Sequence, residues 1–391
     1  MGGTVSDTVE EPQKKKKRKA LWVTLLILLL IPVVAIGGYL FLVNQAWNRS
    51  QTFDNAMPNE DGSVSSVHSD ELQAMVDRAK DAEKQMTNAD GESLASNITE
   101  GDANGNGILD IYEGGVVTGR PVDTAATDIL LLGSDQRTGA EAAHVTGARA
   151  DTIMVLHIPE DGSAAYLISI MRDTWVNIPG YGSHKVNAGL NYGGVDLQVA
   201  TVEQLLGVRM DHVAEIDFEG FKSLVDTLGG VTVDVPLSFS TDNYSFAAGS
   251  QTVNGDQALE FVRQRYAFSD GDYQRVRNQR AFLRGVYNQL RADGALASAS
   301  KLLNVIESVS PYMTVDSGLS PTAIVGIAQP VLRNGNTQLV TMTLPNAGTG
   351  WSWDGQSIVI LDAYATSALA NSLQSETMPN FISTYGGAVT Q

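Results

Sequence analysis

The sequence predicts an α/β (α+β) fold: one domain with a central mixed sheet flanked by helices, set behind a single transmembrane helix and a polar stalk. Three features lead there. Short apolar, partly β-branched runs separated by turn residues follow residue 127, as strands do. Apolar-periodic segments that end at glycine come next, as helices do. Ahead of both, a basic run joins a long uncharged apolar stretch.

That stretch is LWVTLLILLLIPVVAIGGYLFLV at 21–43, preceded by KKKKRK at 14–19. It exceeds the roughly 20 apolar residues that span a bilayer. Pro32 would kink such a helix without forbidding the span. The basic run lies N-terminal, so residues 1–20 are expected in the cytoplasm and 44–391 outside, on a single-pass membrane protein. A cleaved signal peptide is the alternative, but its apolar core is ordinarily about 7–15 residues long. The chain has no cysteine, which excludes disulfides, zinc-thiolate sites and thiol nucleophiles. An exported protein without disulfides suits a bacterial envelope. With a formal net charge of -18, nucleic acid is not an expected partner.

Residues 44–126 are polar and read as a stalk or accessory region, with a short helix expected at 69–86. Within it, GDANGNGILDIYEGG at 101–115 fits the calcium-loop pattern D-x-[DN]-x-[DN]-G-x5-E over 102–113. Asp102, Asn104, Asn106, Asp110 and Glu113 would supply side-chain oxygens, Ile108 a carbonyl, and Gly107 the sharp turn. Gly114-Gly115 forbid a regular exiting helix, so a lone structural Ca2+ loop is expected, with a chance-matching Asn/Gly-rich linker as the alternative.

From Thr127 the domain begins, and 376–391 form a tail. DILLLGS (128–134), TIMVLHI (152–158) and AAYLISI (164–170) read as strands, with PEDGS (159–163) as the turn between the last two. VDLQVATVEQLLG (195–207) and FEGFKSLVDTLGG (218–230) read as helices, and VTVDVPL (231–237) as a strand. If the first two strands are antiparallel, Asp151 lies beside Asp135. The turn then returns Met171-Arg172-Asp173 to that same edge, and Arg149 shares the face of Asp151 in an extended segment.

The run Arg263–Arg284 carries six arginines in 22 residues. Guanidinium forks in that density suit a ligand with several phosphate oxygens. From Tyr273 the run has helical character: Arg275, Gln279, Phe282 and Val286 share one face, while Arg277, Arg280 and Arg284 fall opposite and are expected in solvent. Arg263 and Arg265 converge only if the chain leaves the ALEFV helix extended.

The blocks GSDQR…GARADTIMVLHI, SIMRDTWVNIPGYGSHKVNAGLNYGG, FEGFKSLVDTLGGVTVDV and ALEFVRQRYAFSDGDYQRVRNQ resemble, in order and spacing, those of the LytR-CpsA-Psr family over about 127–375. The resemblance implies a single domain of that type, acting on polyprenyl-pyrophosphate-linked glycopolymers. Such an enzyme moves glycopolymer-1-phosphate onto peptidoglycan and leaves polyprenyl phosphate. By that pattern Asp135 and Asp151 match carboxylates that hold Mg2+ on the pyrophosphate. Arg172, Lys185, Arg263, Arg265, Arg275 and Gln279 match phosphate-contacting residues, and Asp272 belongs to the same motif. Met171 stands where a proline is common, and Asn278 where an arginine is usual before Gln279.

The chemistry is consistent with these residue types. A pyrophosphate needs its charge neutralised before phosphorus is attacked, which arginines and Mg2+ supply. Mg2+ takes hard oxygen ligands, often one or two carboxylates plus phosphate. A base must deprotonate the acceptor hydroxyl, and both Asp173 and Asp151 are candidates. Two other readings stay open: a pyrophosphatase with water as acceptor, and a non-catalytic lipid-pyrophosphate binder in the envelope. The five histidines have no metal-ligand spacing.

Overall fold

The structure is a computed structural model that describes residues 45, 47, 49–64, 87–88, 120–134, 150–294, 305, 308–334 and 337–389. The expected membrane span at 21–43, the helix at 69–86, the calcium loop at 102–113, Asp135 and Arg149 all lie outside these residues. Among the described residues no helix is long and apolar enough to cross a membrane.

Two short strands come first, β1 (Gln51–Thr52) and β2 (Thr87–Asn88). Then follow β3 (Thr127–Ser134), β4 (Ala150–Ile158), β5 (Ala164–Ile170), β6 (Trp175–Ile178) and β7 (Gly182–Lys185). Helices α1 (Ala188–Gly193) and α2 (Val195–Leu206) lead to β8 (His212–Ile216), α3 (Phe218–Thr227) and β9 (Val231–Val235). After β10 (Phe239–Ser240), β11 (Ser245–Phe246) and β12 (Gly249–Val253) come α4 (Gly255–Arg263) and the long α5 (Asp272–Ala292). The chain closes with β13 (Met313–Val315), α6 (Pro321–Asn334), β14 (Gln338–Thr343), β15 (Asn346–Trp351), β16 (Ser357–Leu361), α7 (Ala363–Gln374) and α8 (Met378–Val389).

The main sheet has seven strands in the order β1-β13-β8-β3-β4-β5-β14. It is mixed: β3-β4, β4-β5 and β8-β13 are antiparallel, while β3-β8, β5-β14 and β1-β13 are parallel. Gly162, at φ 61, closes the turn between β4 and β5 by donating to the Pro159 carbonyl at 3.0 Å. Alternation along β3 sends Leu130 and Leu132 into the largest core, with α2, α7 and α8. Leu131 faces the other way, onto Trp47, Val315, Leu319 and α6. A second core joins α3, α4 and α5 to β9 and β12 through Val225, Val233, Phe261 and Phe282.

The segment expected as a stalk is not set apart where it is described. Trp47 is buried and its Nε1 donates to the Leu319 carbonyl at 3.0 Å. Gln51–Thr52 extends the main sheet, Asn88 pairs with Gly350, and Arg120 forms a buried ion pair with Glu203. Apolar and ion-pairing residues spread thinly through a polar sequence have no periodicity, so composition hid their contacts.

Candidate active site

Three strand ends meet at one edge of the sheet. The β3-β4 register passes from Gly133↔Thr152 to Ser134↔Ala150, which leaves Asp151 as the extra residue of a β-bulge. Bulges re-aim a side chain out of the ladder. Arg172, two residues past the end of β5, reaches back so that its Nη1 donates to Asp151 Oδ1 at 2.5 Å. Asp173 follows, with its Oδ1 3.0 Å from Lys185 Nζ on β7. The convergence of Asp151, Arg172 and Asp173 matches the expectation from the antiparallel meander.

Helix α5 lies across this edge by its first turns. It begins at Gly271, whose φ of 49 suits glycine and whose missing side chain leaves the helix N-terminus without a side-chain cap. Arg275 Nη2 stands 2.7 Å from Asp272 Oδ1 and donates to the Asp151 carbonyl at 3.4 Å. One turn on, Gln279 Nε2 donates to Thr152 Oγ1 at 3.1 Å and to the Val262 carbonyl at 3.3 Å. Gln264, in the exit from α4, is extended (φ -67, ψ 126), as convergence of Arg263 and Arg265 required. Only Arg265 joins the cluster, close enough for its charge to act on Asp272 and Arg275. Arg263 is exposed, the last residue of α4, with its guanidinium 4.3 Å over the Phe218 ring.

Arg280 corrects the helical-face expectation. It is 1 % exposed rather than solvated, and Arg277 is half-buried, with its Nε donating to Gln274 Oε1 at 2.9 Å. Arg284 is exposed as expected. The reason is that α5 has neighbours on more than one side, so a single apolar face does not mark its burial. Asn278 is fully buried, its Oδ1 accepting from Gln274 Nε2 and its Nδ2 donating to the Phe261 carbonyl. It ties α5 to α4 and lies in the interior. Met171, at the other departure from the family pattern, is a buried turn residue whose carbonyl accepts from the Thr174 backbone N–H and hydroxyl.

The electrostatics of the cluster are unbalanced by burial. Burial works against the Arg172 charge, but Asp173 and Asp151 outweigh it and raise its basicity. Burial pushes Arg275 down, with Asp272 opposing. Asp272 itself is pushed up by burial, which the Arg275 charge only partly offsets. Among the described residues, Arg172 Nε and Arg275 Nε are buried without a directed hydrogen bond, Arg172 Nε having only the Asp173 carboxylate at 3.6 Å, while Asp272 Oδ1 is held in the Arg275 ion pair. Two such donors on guanidinium groups of one cluster fit the oxygens of an anion. For a divalent cation, Asp151 offers a hard oxygen at the same edge, although no group of three or more metal-ligating residues occurs among the described residues.

Of the residues expected at the site, the structure brings Asp151, Arg172, Asp173, Lys185, Arg265, Arg275 and Gln279 to one cluster or against it, leaves Arg263 outside it, and does not describe Asp135 and Arg149. The sequence reading missed Thr152, whose hydroxyl holds Gln279, and Tyr266, whose ring and hydroxyl hold Arg265. Thr152 was marked in the sequence only by standing next to Asp151; a tyrosine inside a loop carries no such mark.

A model of the LytR_cpsA_psr family matches residues 76–375, starting upstream of the expected boundary at 127. The chain is 35% identical over 263 residues to the probable cell wall biosynthesis protein LcpB of Corynebacterium glutamicum, covering 64% of this chain and 62% of that one. It is 31% identical over 335 residues to the cell wall biosynthesis protein LcpA of the same organism, covering 73% and 62%. Polyisoprenyl-teichoic acid–peptidoglycan teichoic acid transferase TagU of Bacillus mycoides is 36% identical over 204 residues, covering 52% and 65%. The match thus spans somewhat under two thirds of the length of these relatives. In fold, the chain is similar to protein gbs0355 of Streptococcus agalactiae (TM-score 0.56, 24% identity, 65% of this chain and 88% of that one). It is also similar to a LytR-Csp2A-Psr enzyme of Actinomyces oris (TM-score 0.51, 22% identity, 64% and 92%). With the family model covering most of the chain, the chain belongs to the LytR-CpsA-Psr family.

Proposed function

We propose that this chain is a membrane-anchored, extracellular phosphotransferase that moves a glycopolymer-1-phosphate from a polyprenyl-pyrophosphate carrier onto peptidoglycan. The observation that carries the reading is the pair of buried, undirected guanidinium Nε donors of Arg172 and Arg275 beside the Asp151 bulge. Relatives named for cell wall biosynthesis and for teichoic acid transfer support it.

The residues divide the work by position. Arg172, Arg275 and Arg265, with Lys185 behind Asp173, would bind and orient the two phosphates. The acceptor hydroxyl oxygen attacks the sugar-bearing phosphorus, the bridging P–O bond breaks, and polyprenyl phosphate leaves. Asp173 or Asp151 takes the hydroxyl proton. At rest Asp151 and Asp173 are occupied by Arg172 and Lys185. A phosphate that recruits those cations would release the carboxylates. Mg2+, held by Asp151 together with Asp135, would neutralise phosphate charge when bound.

The test uses the full-length chain, a polyprenyl-pyrophosphate-linked oligosaccharide and peptidoglycan fragments. Covalent phosphodiester product should require the acceptor and Mg2+, and Arg275→Ala and Asp151→Asn should each lower turnover at least about 100-fold. Arg284→Ala, on an exposed position, should keep it. Polyprenyl phosphate released at the same rate without acceptor would make the chain a pyrophosphatase. Lipid pyrophosphate bound equally by wild type and Asp151→Asn, with no product from either, would point to a binder instead.

A further inference from the structure

The loop 264–271 joins α4 to α5 and displays Tyr266, which is 84 % exposed. A lone exposed aromatic is ordinary. Tyr266 differs in being tied to its own loop through the backbone and to a neighbouring guanidinium group through the side chain. Gln264 Oε1 accepts from the backbone N–H groups of Tyr266 at 2.8 Å and Ala267 at 3.3 Å. Two residues on, the Phe268 ring packs edge-on against Phe239 with centroids 4.9 Å apart, and Phe239 stacks in turn on Phe246 and Phe261. The loop therefore rests on the second core.

The ring is also tethered to the charged cluster. The Arg265 guanidinium lies 4.7 Å over its centroid, and Arg265 Nη2 donates to the Tyr266 hydroxyl at 2.6 Å. Arg265 covers one face of the ring, so exposure this large leaves the opposite face open. Arg265 in turn acts on Asp272 and Arg275. The Arg265 carbonyl lies 3.9 Å from where a Cβ on Gly271, just ahead of α5, would stand, so an open aromatic face stands one side chain from the guanidinium groups at the start of that helix. A pyranose bonded to a phosphate presents a face of C–H groups at about that remove, and an amphipathic ring such as tyrosine can cover it while its hydroxyl stays hydrogen-bonded.

We propose that Tyr266 is a stacking platform for the sugar ring bonded to the pyrophosphate, so that the site reads a carbohydrate along with two phosphates. The inference rests on the pyrophosphate reading of the cluster. It is tested on the full-length chain in detergent micelles by calorimetric titration with farnesyl pyrophosphate and with farnesyl-pyrophosphoryl-N-acetylglucosamine, without acceptor. The sugar-bearing ligand should bind wild type about three- to tenfold more tightly. Tyr266→Ala should erase that difference, while any loss that comes through Arg265 falls on both ligands alike. Tyr266→Phe, which keeps the ring and loses only the hydroxyl bond to Arg265, should retain it. Equal losses for both ligands in Tyr266→Ala and Tyr266→Phe would overturn the proposal, because the ring would then serve only to position Arg265. A Tyr266→Ala effect confined to the KM of the glycan acceptor would overturn it too. If farnesyl pyrophosphate binds wild type and the sugar adds nothing, this inference alone falls; if neither ligand binds, the pyrophosphate reading falls with it.

Discussion

Arg280 brings a positive charge into the interior, where burial first, and then Arg284 and Arg277, lower its pKa to about 10. Its aliphatic stem packs as well as its head, so truncation removes contacts as well as charge. Arg280→Ala should destabilise the fold by roughly 2–3 kcal/mol in urea unfolding, against about 0.5 kcal/mol or less for the exposed Arg284→Ala. Equal effects would mean that α5 is rotated from the orientation described. The same pair shows what a sequence reveals at this scale. Arg275 and Gln279 were legible because they share a face with Phe282 and Val286, all four buried. Arg280 was not, because a helical wheel assumes one buried face and this helix has packing on others.

Strands β3, β4 and β5 were readable from their apolar runs, and α2 from its glycine stop, which is observed at Gly207 in the left-handed region with φ 64. What periodicity cannot show is where a ladder slips; the bulge that singles out Asp151 is a one-residue irregularity between two regular strands. Nor does it show which loop carboxylates stitch elements together. Asp316, just past β13, accepts from the Val213 N–H of β8 at 3.0 Å and from the Gly318 and Leu319 N–H groups at 2.8 and 3.0 Å, with His212 Nδ1 at 3.2 Å. Burial alone would raise its pKa, but the His212 and backbone hydrogen bonds prevail and lower it. A carboxyl lowered on folding adds stability that is full above its unfolded value, about 3.9, and is lost as pH falls through the folded value. Asp316→Asn should therefore cost about 1.5–3 kcal/mol at neutral pH. The gap in Tm between wild type and variant should narrow below pH 4; a gap independent of pH would show that the carboxylate charge is not what the β8-β13 junction uses.

For the whole molecule, the ordered blocks made the family and its mixed sheet legible, while the incorporation of residues before 127 was not. We propose that the loop 102–113, which lies outside the described residues, is a Ca2+ site that stabilises the protein without taking part in transfer. Calcium should raise Tm in wild type through mass action and should not do so in the Asp102→Asn/Glu113→Gln variant, with turnover kept. No calcium-dependent shift in wild type would leave an ordinary linker. The sheet itself has a consequence for the order of assembly. Of its two rims, β1 lies near the start of the described chain and β14 in its last quarter, and each pairs in parallel with a strand distant in sequence. As the polypeptide is delivered N-terminus first, the outer edge of β5 stays bare until Gln338–Thr343 arrive, and an unpaired rim is a template for wrong partners. Completion therefore comes late, and every step before it depends on keeping a nascent half-sheet from meeting its own kind.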